Sequence, residues 1–231
     1  MTNDRSNPRF GPRQGALTAV ASLAIIAVWM TWWKINRFRS DSFKTSQVKS
    51  ISMALRAYHE STGSYPPLYT SDEHGARMHS WRVLILPHWP YNTEPGKLFS
   101  RINLNKAWNS PENLGHLTAW NYSCQFGAGK RGATSYLAIS TPSGEWLGGE
   151  SESARTFHDP IVVVEYPGSI TPWLEPADIR FDGVRCVLNS GSGRGEDVRL
   201  EGLRVFRLSG ITERVPEKVS AKDLRALLMN R

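Results

Sequence analysis

The sequence predicts an α+β domain carried behind a long N-terminal helix and closed by a short C-terminal one. Three observations predict it. An uncharged apolar run, ALTAVASLAIIAVWMTWW from Ala16 to Trp33, leads without a break into a stretch of helical periodicity. Beyond Gly63 that periodicity fades, Gly, Pro, Trp and Tyr become frequent, and short β-branched runs appear. Near the C-terminus, SAKDLRALLMN returns to helical spacing, with Leu224, Leu227 and Leu228 on one side. With 231 residues, 40% apolar and 21% charged, the composition fits one globular domain plus an anchor. It excludes a mainly disordered chain, a collagen and a coiled-coil rod.

Residues 1–15 form a basic tail and 16–34 a membrane anchor. The eighteen residues from Ala16 to Trp33 contain no charge, Gly or Pro. A helix of that length spans roughly 27 Å, against a hydrocarbon core of about 30 Å. Ile25 lies mid-run; Trp29, Trp32 and Trp33 crowd the far end and Lys34 follows at once, the order expected of an aromatic belt and a headgroup contact. A buried core helix would carry polar groups on one face, and this run has no such face. A cleaved secretory signal would end in small residues, whereas this run ends Thr-Trp-Trp-Lys, so an uncleaved signal anchor is expected.

The formal net charge of +7 is concentrated around that segment. Residues 1–44 hold seven Lys/Arg against two Asp, and the remainder holds 21 basic and 19 acidic groups. The basicity therefore describes a lipid-bilayer interface, and nucleic acid is not expected as a partner. Three basic residues precede the run and five follow it (Lys34, Arg37, Arg39, Lys44, Lys49), a count that by itself favours keeping the C-terminal side inside.

Residues 35–62 continue as an amphipathic helix: Val48, Ile51, Leu55 and Tyr58 recur at three and four, with Gln47, Lys49, Ser50, Ser52 and Arg56 between them. Thr62-Gly63 stops it, with Pro66-Pro67 beyond. Residues 63–231 read as one α+β domain without repeats. Strands are expected at Ser135–Ser140, Ile161–Glu165 and Val184–Leu188, and Ser80–Leu86 is either strand or short helix. Val198–Leu208 reads as a hairpin turning at Glu201-Gly202. Ser220 caps the last helix, with Asp223 three residues on.

The chemistry-bearing patterns are weak one by one. Gly127-Ala-Gly-Lys-Arg-Gly132 matches G-x-G-x-x-G, but a strand rather than a helix follows, so a basic surface loop is expected and no cofactor. None of the six His pairs with a second His or Cys at metal-binding spacing; His74 and His79, near Asp72 and Glu73, read as a polar loop that could hold a surface cation. Cys124 and Cys186 lack C-x-x-C spacing. Outside the cytoplasm they could form one disulfide, contributing about 4 kcal/mol; two half-buried thiols are the alternative. No G-x-S-x-G elbow occurs, and Glu150 and Glu152 lie in a Gly/Ser-rich solvated stretch, so no catalytic set is expected. Trp81, Trp89, Trp108, Trp120, Trp146 and Trp173 could stack sugars, though scattered tryptophans more often pack a core or rim.

The order of short blocks resembles the planctomycete-type family known as domain of unknown function 1559, whose members are often labelled type II secretion pseudopilin G-like. The blocks are ISMALRAYHESTGSYPP (Ile51–Pro67), SWRVLILPHW (Ser80–Trp89), AWNSPENL (Ala107–Leu114), Cys124, TSYLAIS (Thr134–Ser140), DPIVVVEYPGSITPWLEPADIRF (Asp159–Phe181) and DVRLEGLRVFRLS (Asp197–Ser209). The resemblance implies a pilin-like fold, with an N-terminal helix half in the membrane and packed on an antiparallel sheet. It further implies an extracytoplasmic domain and association with itself or other pilin-like subunits. The family's leader carries Glu at the fifth position of its apolar run, where this chain has Val20. The family's His ten residues before an Asp-Gly turn is replaced by Gly191, before Glu201-Gly202. The expected function is a single-pass membrane-anchored pilin-like protein of surface structure or protein association. A membrane-tethered carbohydrate-binding domain and an anchored hydrolase are the alternatives from other classes.

Overall fold

The computed structural model describes residues 12–90, 94–118, 132–147, 159, 161–167, 169, 171–189 and 195–229. Helix α1 runs from Pro12 to Thr62. Gly63 stops it by donating its N–H to the His59 carbonyl at 2.8 Å. The chain divides into two compact units within α1, between Phe43 and Lys44.

The second unit begins with the face of α1 that its spacing foretells: Val48, Ile51, Ala54 and Leu55 are all buried. A hairpin of β1 (Tyr69–Ser71) and β2 (Arg77–Ser80) follows. Next come the short helix α2 (Trp81–Leu84), a 3-10 turn at Leu86–His88, α3 (Glu94–Phe99) and α4 (Pro111–Leu114). The ambiguous stretch from Ser80 is thus the end of a strand and then a helix, because the Ser80 hydroxyl caps α2 by accepting from the Arg82 N–H.

The main sheet contains β3 (Tyr136–Ser140), β4 (Ile161–Glu165), β5 (Asp178–Phe181), β6 (Cys186–Asn189), β7 (Gly195–Val198), β8 (Arg204–Arg207) and β9 (Thr212–Arg214). Its order is β7-β6-β5-β3-β4-β8-β9. The fold is α+β, but the sheet is mixed where an antiparallel one was expected: β3 and β5 run parallel. The cause is the segment 166–177, which leaves β4 on one side of β3 and re-enters on the other.

The expected hairpin at Val198–Leu208 does not form. Gly202 does take the positive φ of the turn, 74°, yet β7 before it pairs with β6 while β8 after it pairs with β4 and β9. The true hairpin is β8–β9, turning at Gly210 with φ 87°. From Val198 to Arg204 the chain can reach at most ~22 Å, whereas five strand spacings in a flat sheet are about 24 Å. The sheet therefore curls about β3, which pairs with β4 through Tyr136–Ala138 and with β5 through Ile139–Ser140.

Alternation then sorts the core. Leu137, Ile139, Val164, Ile179, Phe181 and Val205 form one cluster, which Leu224 and Leu228 of α5 (Ala221–Met229) join. Tyr136 and Phe206 face the other way, their rings edge to face at 5.8 Å. The Ser52 hydroxyl of α1 donates to the β8 carbonyl of Arg207 at 3.5 Å, placing the helix on that second face. The expected cap of α5 is present: the Asp223 N–H donates to the Ser220 hydroxyl at 3.1 Å.

Candidate functional site

Two features stand apart from ordinary packing. The first belongs to the N-terminal unit. From Ser22 to Asn36 every side chain of α1 is exposed, and these include Leu23, Ile25, Ile26, Val28, Trp29, Met30, Trp32, Trp33 and Ile35. At 100° per residue those positions cover the whole circumference of the helix. Among the described residues no helix is long and apolar enough to cross a membrane. The described side chains cover only the second part of the apolar run; Ala16 and its neighbours through Ala21 lie outside them. Of the anchor residues, Ile25, Trp29, Trp32, Trp33 and Lys34 are all exposed.

The second feature is a polar hub in the sheet unit. Arg82, on α2, is completely buried and all five of its guanidinium N–H groups are used. Nε donates to the Tyr136 carbonyl at 3.0 Å and Nη1 to the Ser80 hydroxyl and the Glu175 carbonyl. Nη2 donates to the Ala177 carbonyl at 3.1 Å and to Asp178 Oδ1 at 2.7 Å. The same Oδ1 accepts from Trp81 Nε1 at 3.1 Å and the Ala138 N–H at 2.7 Å. Burial pushes the Asp178 carboxyl above its ordinary range, opposed by the Arg82 guanidinium. Oδ2 of Asp178 makes no hydrogen bond with a described residue, and Asp178 lines a cleft of about 160 Å³ with Tyr69, Arg77, Ser140, Ser143, Arg180 and Asn189.

A larger hollow of about 390 Å³ lies on the other side of the β1–β2 hairpin, lined by Thr70, Asp72, Glu73, His74, His79 and Asn105. It gathers the His74/His79 loop. His74 and Glu73 form an exposed pair at 3.5 Å, and Asp72 Oδ1 accepts the N–H groups of His74 and Ala76. His79 is buried, and neither ring nitrogen has a hydrogen-bond partner among the described residues. The backbones of Leu104 and Lys106 lie near enough to favour the protonated ring without bonding geometry. No group of three or more His, Cys, Asp or Glu among the described residues is placed to hold a metal ion.

Burial lowers the pKa of both His79 and His88 below the ordinary value of 6.5. The folded state then binds fewer protons than the unfolded chain below that pH, so stability is complete above about 6.5 and declines as pH falls. Melting temperature should accordingly drop between neutral pH and about pH 5. His79→Gln should flatten the decline, and an unchanged slope would show that His79 is not responsible.

The remaining sequence candidates separate. Trp81, Trp146 and Trp173 are buried, with indole N–H groups donated to Asp178 Oδ1, the Pro66 carbonyl and the Leu117 carbonyl. Trp89 and Trp108 are half-buried, and Trp120 lies outside the described residues. Of the G-x-G-x-x-G stretch only Gly132 is described; it leads into β3. Cys186 is buried in β6, its thiol pushed up to about 12 chiefly by burial. Cys124, Glu150 and Glu152 lie outside the described residues. Asp178, Arg82, Arg77 and Arg180 were not singled out by sequence reasoning. Two signals were present: a charge inside the apolar block Trp81-Arg-Val-Leu-Ile-Leu86, and the alternation Asp178-Ile-Arg-Phe181.

Fold and hub together define a curled mixed-sheet α+β domain packed against the second half of a long N-terminal helix. Residues 45–160, half of the chain, match the family described as "Protein of unknown function (DUF1559)", and the chain belongs to that family. The match ends before β4, so the blocks at Asp197–Ser209 and most of Asp159–Phe181 fall beyond it. Neither the comparison with curated proteins nor that with solved structures finds a match.

Proposed function

We propose that the protein is a single-pass, membrane-anchored, pilin-like protein. Residues 16–34 lie in the bilayer, 35–62 continue the helix, and 63–231 form an extracytoplasmic domain. It serves surface structure or association with its own kind or other pilin-like subunits, rather than catalysis. One observation carries the reading: nine large apolar side chains stand exposed around the full circumference of α1 between Leu23 and Ile35. Withdrawing them from water is worth on the order of 10–20 kcal/mol, and hydrocarbon covers all faces of a helix at once. The indoles of Trp29, Trp32 and Trp33 beside Lys34 suit the boundary with the headgroups.

The test is alkaline extraction of membranes carrying the full chain, followed by protease treatment of intact spheroplasts. The chain should stay with the lipid, Ile25→Arg with Val28→Arg should release it, and residues 45–231 should be digested from outside. Release of the unaltered chain would refute the anchor, and full protection would place the domain inside. Crosslinking should capture a homomeric or pilin-like neighbour; a strictly monomeric chain would remove the assembly role.

A further inference from the structure

We propose that the cleft between the β1–β2 hairpin and strands β5 and β6 binds a small zwitterion, a free α-amino acid with little or no side chain. The inference is independent of the anchor. On β5 the alternation puts Ile179 and Phe181 into the core and leaves Asp178 and Arg180 together on the opposite face. Asn189 stands beside Asp178 in register on β6, and Ser140 beside Arg180 on β3. Arg77 reaches the same cleft from β2. Its Nη1 donates to the carbonyls of Pro176 at 3.2 Å and Asn189 at 3.4 Å, and its guanidinium carbon sits 4.3 Å from the centre of the Tyr69 ring. The guanidinium is thus fixed in place, while its Nε and Nη2 make no hydrogen bond with a described residue.

The floor carries an acceptor. Asp178 is only 7% exposed, and the three hydrogen bonds its carboxylate makes with described residues, Arg82, Trp81 and Ala138, fall on Oδ1. Oδ2 is left as an acceptor on a residue that lines the cleft, held rigidly because its sister atom is held from three sides. Arg82 compensates the charge of Asp178, so a bare anion meets Arg77 and Arg180 but offers no donor to Oδ2, and a bare cation meets the two guanidiniums. A molecule with both charges suits the cleft: its carboxylate accepts from Arg77 and Arg180, and its ammonium donates to Asp178 Oδ2. The hydroxyls of Ser140 and Ser143 and the amide of Asn189 are further polar groups of the lining.

Size narrows the class. The cleft is small, about 160 Å³, and opens to solvent. It suits an amino-acid main chain with a small side chain, so glycine, alanine and serine are the occupants proposed ahead of an aromatic amino acid.

The experiment is calorimetric titration of the full chain in detergent micelles with glycine, L-alanine, L-serine and L-phenylalanine. Sodium acetate, methylammonium chloride and sodium phosphate are the single-charge probes. Saturable binding of the three small amino acids at one per chain is expected, with no binding of the other four compounds over the same range. At a hundredfold excess over Kd the melting temperature should rise by several degrees. Arg180 is exposed and outside the Arg82 hub, so Arg180→Ala should leave the melting temperature of the free protein unchanged while weakening binding about tenfold or more. Absence of heat with all three small amino acids would overturn the proposal. So would acetate, methylammonium or phosphate binding as tightly as alanine, or full affinity in Arg180→Ala.

Discussion

Arg82→Met should destabilise the sheet unit by about 3–5 kcal/mol, read as a shift in the midpoint of urea unfolding at unchanged slope. The substitution leaves Asp178 buried at 7% exposure with its guanidinium partner gone. It also strips donors from the carbonyls of Tyr136, Glu175 and Ala177, which belong to two separate segments of the chain. Arg82→Lys should cost nearly as much, because one ammonium supplies three donors where the site uses five. Replacing both partners, Arg82→Met with Asp178→Leu, should recover part of the loss, since no uncompensated charge remains. If Arg82→Met unfolds at the unaltered midpoint, the hub contributes nothing to stability.

Truncation should have the second large effect. A chain beginning at Lys44 should unfold cooperatively, and one beginning at Gly63 should lack a cooperative transition altogether. The difference is the amphipathic half of α1, whose Val48, Ile51 and Leu55 are each about 1% exposed. Burying each is worth about 1.5–3 kcal/mol, together a large fraction of the 5–15 kcal/mol that holds a typical domain folded. The second face of the sheet, with Tyr136 and Phe206, would also be laid open to water. Circular dichroism on heating distinguishes the two truncated chains. A sigmoidal melt in the chain starting at Gly63 would show that the helix is dispensable.

Local chemistry was legible wherever it sufficed to decide the structure. The spacing of Val48, Ile51 and Leu55 named the buried helix face, Ile161–Glu165 coincides with β4 to the residue, and the Ser220–Asp223 cap is where its pattern placed it. The hairpin at Val198–Leu208 misled for a definable reason. The Gly202 turn is real, but a turn does not specify whether its two arms meet each other. Val198 is claimed by Cys186 and Arg204 by Arg214, each in a neighbouring local pairing, while Glu165 takes the other side of Arg204 from a distant part of the chain. The cleft was illegible for the same reason. The pattern Asp178-Ile-Arg-Phe181 announces one polar and one apolar strand face, yet Asp178 meets its partner Arg82 across 96 residues. No spacing rule spans that interval.

The curl of the sheet about β3 bears on how the protein is made. The cluster around Leu137 and Ile139 stays open until Val205, Val215, Leu224 and Leu228 arrive, which follow every other member of it in the chain. A chain emerging N-terminus first therefore cannot close this core until α5 has left the ribosome. Until then the nascent domain meets its surroundings unfolded, with the apolar face of β3 uncovered.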